Sequence, residues 1–330
     1  MLAARGGEPF HLGNGWFSCW SDAFGPVTYR HDLPMIAERE PIGPFGFAGL
    51  RGATNPHSAH YDAPPGIAIA EDLAERLLAE SGAASVRFDY LRDDAVLLTA
   101  AARWSRARIA PHAVSPVVDC RVGYDAWFAA RSKRIRQRLR RDGREALCDH
   151  RMRREFRTDD PVPSGLFDAM LAVERSGWKG RGGTAIADNP AERSFYTALV
   201  QRAAAAGVLR IALLWDGERL AAFEFGVVGG RRLFLLKVGY DERYADLSVG
   251  YVLAAEHIRQ CCDDPAIDWY DKMGNGMSPA EYKLRFADQC DTLYRVTVYA
   301  ADWRGWVLHA RDGLRARAKR WRDRLRARKA

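Results

Sequence analysis

Between residues 208 and 241 the chain reads VLRIALLWDG, ERLAAFEFGVVGG and RRLFLLKVGYD. Each stretch is apolar enough to be a strand, and Asp-Gly and Gly-Gly separate the three. Those dipeptides supply the positive φ that two-residue hairpin turns demand. Strands joined this tightly pair antiparallel with their sequence neighbours. The meander is the strongest constraint on what the chain can fold into, because it fixes three adjacent strands at once.

Helical patterns flank it. LFDAMLAVERSGW (166–178) and AERSFYTALVQRAAAAG (191–207) precede it, the second stopped by Gly207. LSVGYVLAAEHIRQCC, the strand AIDWYDKM, a short helix around PAEYKLRF and the strand DTLYRVTVYA follow. Helix, helix, three strands, helix, strand, helix, strand is the order of the GNAT acyltransferase fold. The first half is less regular. Residues 10–62 are dense in Gly and Pro and are expected to be loops, with Phe10, Trp16, Phe17, Trp20 and Phe24 pinning a short helix to a core. EDLAERLLAE (71–80) reads as a helix stopped by Gly82, and SVRFDYL and AVSPVVDCRV read as strands. The expected fold class is therefore α/β (α+β), with mixed, mostly antiparallel sheets flanked by helices.

Charge is uneven. Residues 311–330 hold ten Arg or Lys against Asp312 and Asp323, a net of +8 that equals the net charge of all 330 residues. A second cluster, RSKRIRQRLRRDGR, spans 131–144. The 310 residues outside the tail, this cluster included, sum to about zero, so a uniformly basic nucleic-acid binder is excluded. Arginine outnumbers lysine 43 to 7, which makes each lysine the more informative residue. With 48% hydrophobic residues the chain is globular, and no apolar run approaches the ~18–20 residues of a membrane span. No secretory signal is read at the N-terminus, and six cysteines without a C-x-x-C pair are expected to be reduced thiols of a cytoplasmic protein. The histidines of HSAH (57–60) lack a third ligand nearby, so no metal site is expected.

VERSGWKGRGGTAI, LLWDGERLAAFEFG, FLLKVGYDERYADLSVG and DWYDKMGNGMSPAEYK, in that order, resemble the GNAT-type acetyltransferase family associated with cellulose biosynthesis, the CelD/BcsL type, a relative of the Fem-type aminoacyl transferases. The likeness covers about 120–300. It implies a tandem GNAT-like fold, with a degenerate half at 1–122 and an acyltransferase domain at 123–302 that includes a basic helix at 125–145; a basic amphipathic helix at 303–330 is expected to follow. It also implies acetyl-CoA or acyl-CoA as co-substrate, no permanently bound cofactor, and an amine acceptor.

Acyl transfer to an amine needs a seat for the donor phosphates, a base and a stabiliser of the oxyanion. Donor binding is expected where strand LFLLKVGY feeds the helix VGYVLAAEHI, on Arg243, Ser248 as N-cap, Val249, Gly250 and Tyr251. An ordinary capped helix is the alternative there. Glu224, a carboxylate inside an apolar strand, is the expected base, with a pKa raised by burial. Counted from a turn at 229/230, Lys237 lies diagonal to Glu224 and could pair with it. Asp271 completes the expected catalytic set. Glu174, Trp178, Lys179, Tyr240 and Lys283 are expected on the acceptor side, as the resemblance implies. The functions left open are an acyl-CoA-dependent N-acyltransferase for a small-molecule, sugar or lipid amine, a Fem-like transferase using charged tRNA, and a non-catalytic envelope or exopolysaccharide assembly protein. The tail reads as a helix with Trp303, Trp306, Val307, Ala310, Leu314, Ala318, Trp321 and Leu325 in one stripe, expected either to dock on the body or to meet an anionic membrane surface through 311–330, at the inner membrane face.

Overall fold

The computed structural model describes residues 9–158, 160–177 and 186–327. In chain order the elements are α1 (Asn14–Phe24), β1 (Thr28–Arg30), β2 (Leu33–Ile42), β3 (Phe45–Gly52), α2 (Leu73–Ser81), β4 (Ser85–Leu91), α3 (Val96–Ala101), β5 (Ala107–Asp119), α4 (Tyr124–Ala129), α5 (Lys133–Arg144) and β6 (Arg153–Arg157). They continue with α6 (Leu166–Ser176), α7 (Pro190–Ala205), β7 (Leu209–Asp216), β8 (Arg219–Gly229), β9 (Arg232–Tyr240), α8 (Val249–Asp263), β10 (Trp269–Asp271), α9 (Glu281–Leu284), β11 (Gln289–Tyr299) and α10 (Trp303–Ala327). This is the expected mixed, mostly antiparallel architecture flanked by helices.

Two compact units divide the chain. The first gathers residues 9–26, 55–59 and 113–292, and the second 27–54, 60–112 and 293–327. In the second, strands run β1-β2-β3-β4-β11, with only β3 and β4 parallel. Three strands thus occupy a region expected to be loops. Their inward side chains hide the pattern. Glu38 and Glu40 of β2 are ion-paired to Arg87 of β4 at 2.7 and 3.1 Å, so charge stands where apolar residues would have announced a strand. Helix α2 ends as expected at Gly82, at φ +64°.

In the first unit the order is β5-β10-β9-β8-β7-β6. The predicted meander is β7, β8 and β9, and Asp216 pairs with Arg219 across a Gly217–Glu218 turn, one residue past the expected Asp-Gly. Helix α8 covers one face, where Val249, Val252 and Leu253 pack on Ala212, Leu214 and Ala222. The opposite face carries α6 and α7, with Phe167 and Tyr196 edge-on to Phe225 at 6.2 and 5.7 Å. The aromatic helix α1 is pinned as expected, Trp16 meeting Phe195 at 5.4 Å. The basic helix expected as one piece at 125–145 is two, α4 and α5. The break falls before Ser132, whose Oγ accepts from the Ile135 amide at 3.4 Å and starts a new helix.

The β8–β9 register corrects the expected pair. The turn is Gly230–Arg231, both at positive φ, so Gly229 faces Arg232. In an unbroken ladder Glu224 would then face Lys237. A bulge intervenes: Gly226 pairs with Leu235 but Phe225 with Lys237, leaving Leu236 as the extra residue. A one-residue slip moves every later side chain to the other face. Glu224 faces Val238, and Lys237 emerges on the α7 side. Gly226 permits the bulge, since a Cβ there would lie 2.2 Å from the Phe234 carbonyl oxygen. Gly226→Ala is expected to destabilise the chain by about 1–3 kcal/mol through overpacking. Thermal unfolding checks this, and an unchanged melting temperature would show that the bulge adapts.

Candidate active site

Strands β9 and β10 are parallel, joined by the α8 crossover, and they part company early. β10 has three residues, and pairing ends at Asp271 opposite Phe234. β9 runs on to Tyr240, paired only to β8. Where the two strands separate, a cavity of about 290 Å³ opens, with the first turn of α8 at its wall. The first N–H groups of a helix have no acceptor within it. Here those groups belong to Val249 and Gly250, and a Cβ on Gly250 would reach only ordinary contact with the Tyr240 ring, at 3.4 Å.

Glu224 enters this cavity from β8 and is only 5% exposed. Its Oε2 accepts hydrogen bonds from the Tyr270 hydroxyl at 2.6 Å and from His257 Nδ1 at 2.9 Å. Since a carboxylate only accepts, Nδ1 carries the proton. No described protein donor bonds to Oε1. Burial pushes the Glu224 carboxyl up, but the Lys272 ammonium, His257 and Tyr270 together outweigh it and hold the group below the usual carboxylate range. The expected upward shift is therefore reversed, because burial acts here with three partners that favour the charged form.

Lys272 is the residue the sequence analysis missed. It follows β10, is 2% exposed and lines the same cavity. Its Nζ lies 4.9 Å from the Tyr270 ring centroid and 4.8 Å from that of Phe286. Among the described residues it forms no carboxylate ion pair; the aromatic faces hold the cation. Burial lowers its pKa from the ordinary lysine value, and the nearby Glu224 charge works in the other direction. Two signals could have found it. Lysine is scarce in this chain, and position 272 alternates with Tyr270 along a strand whose intervening residue, Asp271, points away.

Asp271 does not meet the expected reacting centre. It is fully buried and ion-paired to Arg232 at 2.8 Å, and it also accepts from Ser115 and from the Met273 amide. Lys237 lies on the far face, 3.5 Å from Glu192 and over the Tyr196 ring. Arg243 is exposed and held by Asp241, with Nε 3.0 Å from Oδ2, away from the cavity. Lys283 Nζ donates to the Met273 carbonyl at 2.7 Å, while its neighbour Tyr282 lines the cavity. Ser248 lines it too, but not as the expected side-chain cap. It holds φ +53°, and its Oγ accepts from Arg138 at 3.1 Å. Glu174, Tyr240, Val249, Gly250 and Tyr251 line the cavity. Trp178 and Lys179 lie outside the described residues.

Arg138 links the cavity to a groove lined by Arg134, Arg138, Arg141, Tyr251 and Arg285. The Arg138 guanidinium lies 4.3 Å from the Tyr251 ring centroid. Arg285 donates to the Tyr251 hydroxyl at 3.3 Å. The basic cluster seen in the sequence therefore places an arginine at the cavity, which Arg243 does not line. Among the described residues no cluster of His, Cys, Asp or Glu could hold a metal ion.

Residues 129–284 match the family described as an acetyltransferase (GNAT) domain. The fold is that of a GNAT-type acyltransferase. No curated protein sequence matches the chain. Among solved structures, a conserved protein of unknown function from Bacteroides thetaiotaomicron is similar at a TM-score of 0.60 and 10% identity, over 89% of this chain and 92% of that one. L-PGS from Bacillus licheniformis is similar at 0.54 and 11%, over 93% and 98%. FemX is similar at 0.55 and 8%, over 81% and 84%. These likenesses establish a shared fold.

Proposed function

We propose that the chain is an acyl-CoA-dependent N-acyltransferase of the cellulose-biosynthesis-associated (CelD/BcsL-like) kind, acting on an amine of a lipid or sugar acceptor. The observation that carries this reading is the meeting of Glu224 and Lys272 in one cavity whose wall is a helix N-terminus. The α8 N–H groups and Arg138 hold the donor's phosphates. Glu224 Oε1, directly or through one water, takes a proton from the acceptor amine. The nitrogen attacks the thioester carbonyl carbon, and the oxyanion that forms is stabilised by the Lys272 ammonium. Collapse breaks the C–S bond, the proton still on the attacking nitrogen passes to the departing thiolate, the amide is released, and Glu224 returns its proton to solvent. No covalent enzyme intermediate is needed, and no buried cysteine thiol enters the scheme.

Native mass spectrometry with a panel of acyl-CoAs of different chain length tests the donor. One acyl-CoA per chain is expected. Gly250→Val is expected to weaken that binding about tenfold or more, since a β-branched side chain intrudes on the backbone approach at a cost of roughly 1–3 kcal/mol. Its melting temperature should fall less than its affinity. Failure to bind any acyl-CoA would overturn the reading and favour a non-catalytic assembly role. Equal affinity in the variant would move the donor elsewhere.

The arginine groove supports a second reading, transfer of an aminoacyl group from a charged tRNA whose phosphates the groove would neutralise. FemX and L-PGS share the fold. Loss of activity in a lysate after ribonuclease treatment would select this reading over the first.

A further inference from the structure

Helix α10 presents two opposite faces. On one, Gly305 and Leu308 are buried, and Asp312 accepts from the Tyr299 hydroxyl at 2.9 Å. Leu308 packs with Ala84 and Tyr299 against Ile42 and Phe47, so this face fastens the helix to its own unit. A glycine is required at 305, where a Cβ would lie 2.2 Å from the Ala300 carbonyl oxygen.

At 100° per residue the other face is centred about half a turn away. It carries Trp303, Trp306, Leu314 and Trp321, exposed by 66%, 73%, 65% and 65%. Every other described tryptophan is buried or half-buried. Trp303 also stands edge-on to Phe47 at 5.2 Å, but Trp306, Leu314 and Trp321 of the stripe read from the sequence are exposed to solvent. Among the exposed basic residues Arg317 falls within the stripe, and Arg322 and Arg315 lie between it and the docked face.

The charge selects the occupant. A second copy would bring net +8 against net +8 along the tail. A nucleic acid would meet the arginines but leave the tryptophans in water. An anionic bilayer satisfies both, with phosphates for the arginines and a headgroup–acyl boundary for the indoles. No helix of the described residues is long and apolar enough to cross a membrane. We propose that the Trp303–Trp306–Leu314–Trp321 face of α10 seats the chain on an anionic lipid surface, with the helix lying in the interface plane. This stands apart from the acyl-transfer reading and does not require it.

Co-sedimentation of the full chain with phosphatidylcholine vesicles, with and without about 30% phosphatidylglycerol, tests it. Binding to the anionic vesicles alone, with release by salt, is expected. Arg315→Gln with Arg317→Gln and Arg322→Gln should lower the partition coefficient about a hundredfold, at roughly 1 kcal/mol per charge. Trp306→Ser with Trp321→Ser should abolish the blue shift of tryptophan emission on binding and lower the partition coefficient at least about tenfold. All five side chains are exposed, so circular dichroism, melting temperature and acyl-CoA affinity should match the unaltered chain. Equal sedimentation by variants and unaltered chain, or no binding by the unaltered chain, would overturn the proposal. So would a stripe-dependent dimer in sedimentation velocity, or a stripe-dependent RNA complex released by ribonuclease.

Discussion

Glu224→Gln is expected to lower turnover by about 10²–10⁴-fold, the usual worth of a positioned general base. The amide is nearly isosteric. Its oxygen can occupy the Oε2 place and keep accepting from Tyr270 and His257, which puts an N–H₂ donor where Oε1 met the cavity. Proton abstraction is then lost while the hydrogen-bonded frame survives. The buried Lys272 loses its compensating charge, yet an ammonium can release its proton, and so the fold is expected to persist by circular dichroism. The pH profile gives a second readout. Because the carboxyl is held below its ordinary value of 4.5, the base is ionised above that pH, and the acidic limb of kcat/KM should fall below 4.5. A variant with near-normal turnover, or an unaltered acidic limb in the variant's residual rate, removes Glu224 from the mechanism.

This site shows what a linear sequence carries and what it does not. The meander was legible because apolar runs and Asp-Gly and Gly-Gly turns are local signals. Glu224 was legible because a carboxylate in such a run must have partners. Its partners were not legible. His257 comes from a helix 33 residues on and Tyr270 from a strand 46 residues on, and neither carries a spacing that ties it to Glu224. Lys237 was misplaced for a sharper reason. One bulged residue, Leu236, reversed its face, and nothing in FLLKVGY announces a bulge except a glycine on the partner strand. Strands β1 to β3 were missed because their inner face is held by ion pairs, which read as a solvated segment. The tail was half legible. Periodicity found the apolar stripe, but could not say that Gly305 and Leu308, on the other side, make the contact with the rest of the unit.

Lys272→Met is expected to cost about 10²–10³-fold in kcat, the loss seen when one preorganised oxyanion donor is removed. Methionine keeps an unbranched apolar stem against Tyr270 and Phe286, so the cavity wall is retained and only the charge goes. KM for the acyl-CoA should change little, because the ammonium is assigned to the oxyanion and the donor's phosphates to α8 and Arg138. Two shifts in the pH profile separate this role from a merely structural one. In the unaltered chain the ammonium is lost as pH rises through a pKa below the ordinary 10.5, which sets a basic limb, and the variant should lack that limb. The same substitution removes the largest influence holding Glu224 down, so the acidic limb should move upward. If kcat is unchanged, or if kcat falls while both limbs stay where they were, the Lys272 charge does not act on the reacting atoms, and the oxyanion must be stabilised by backbone N–H groups alone.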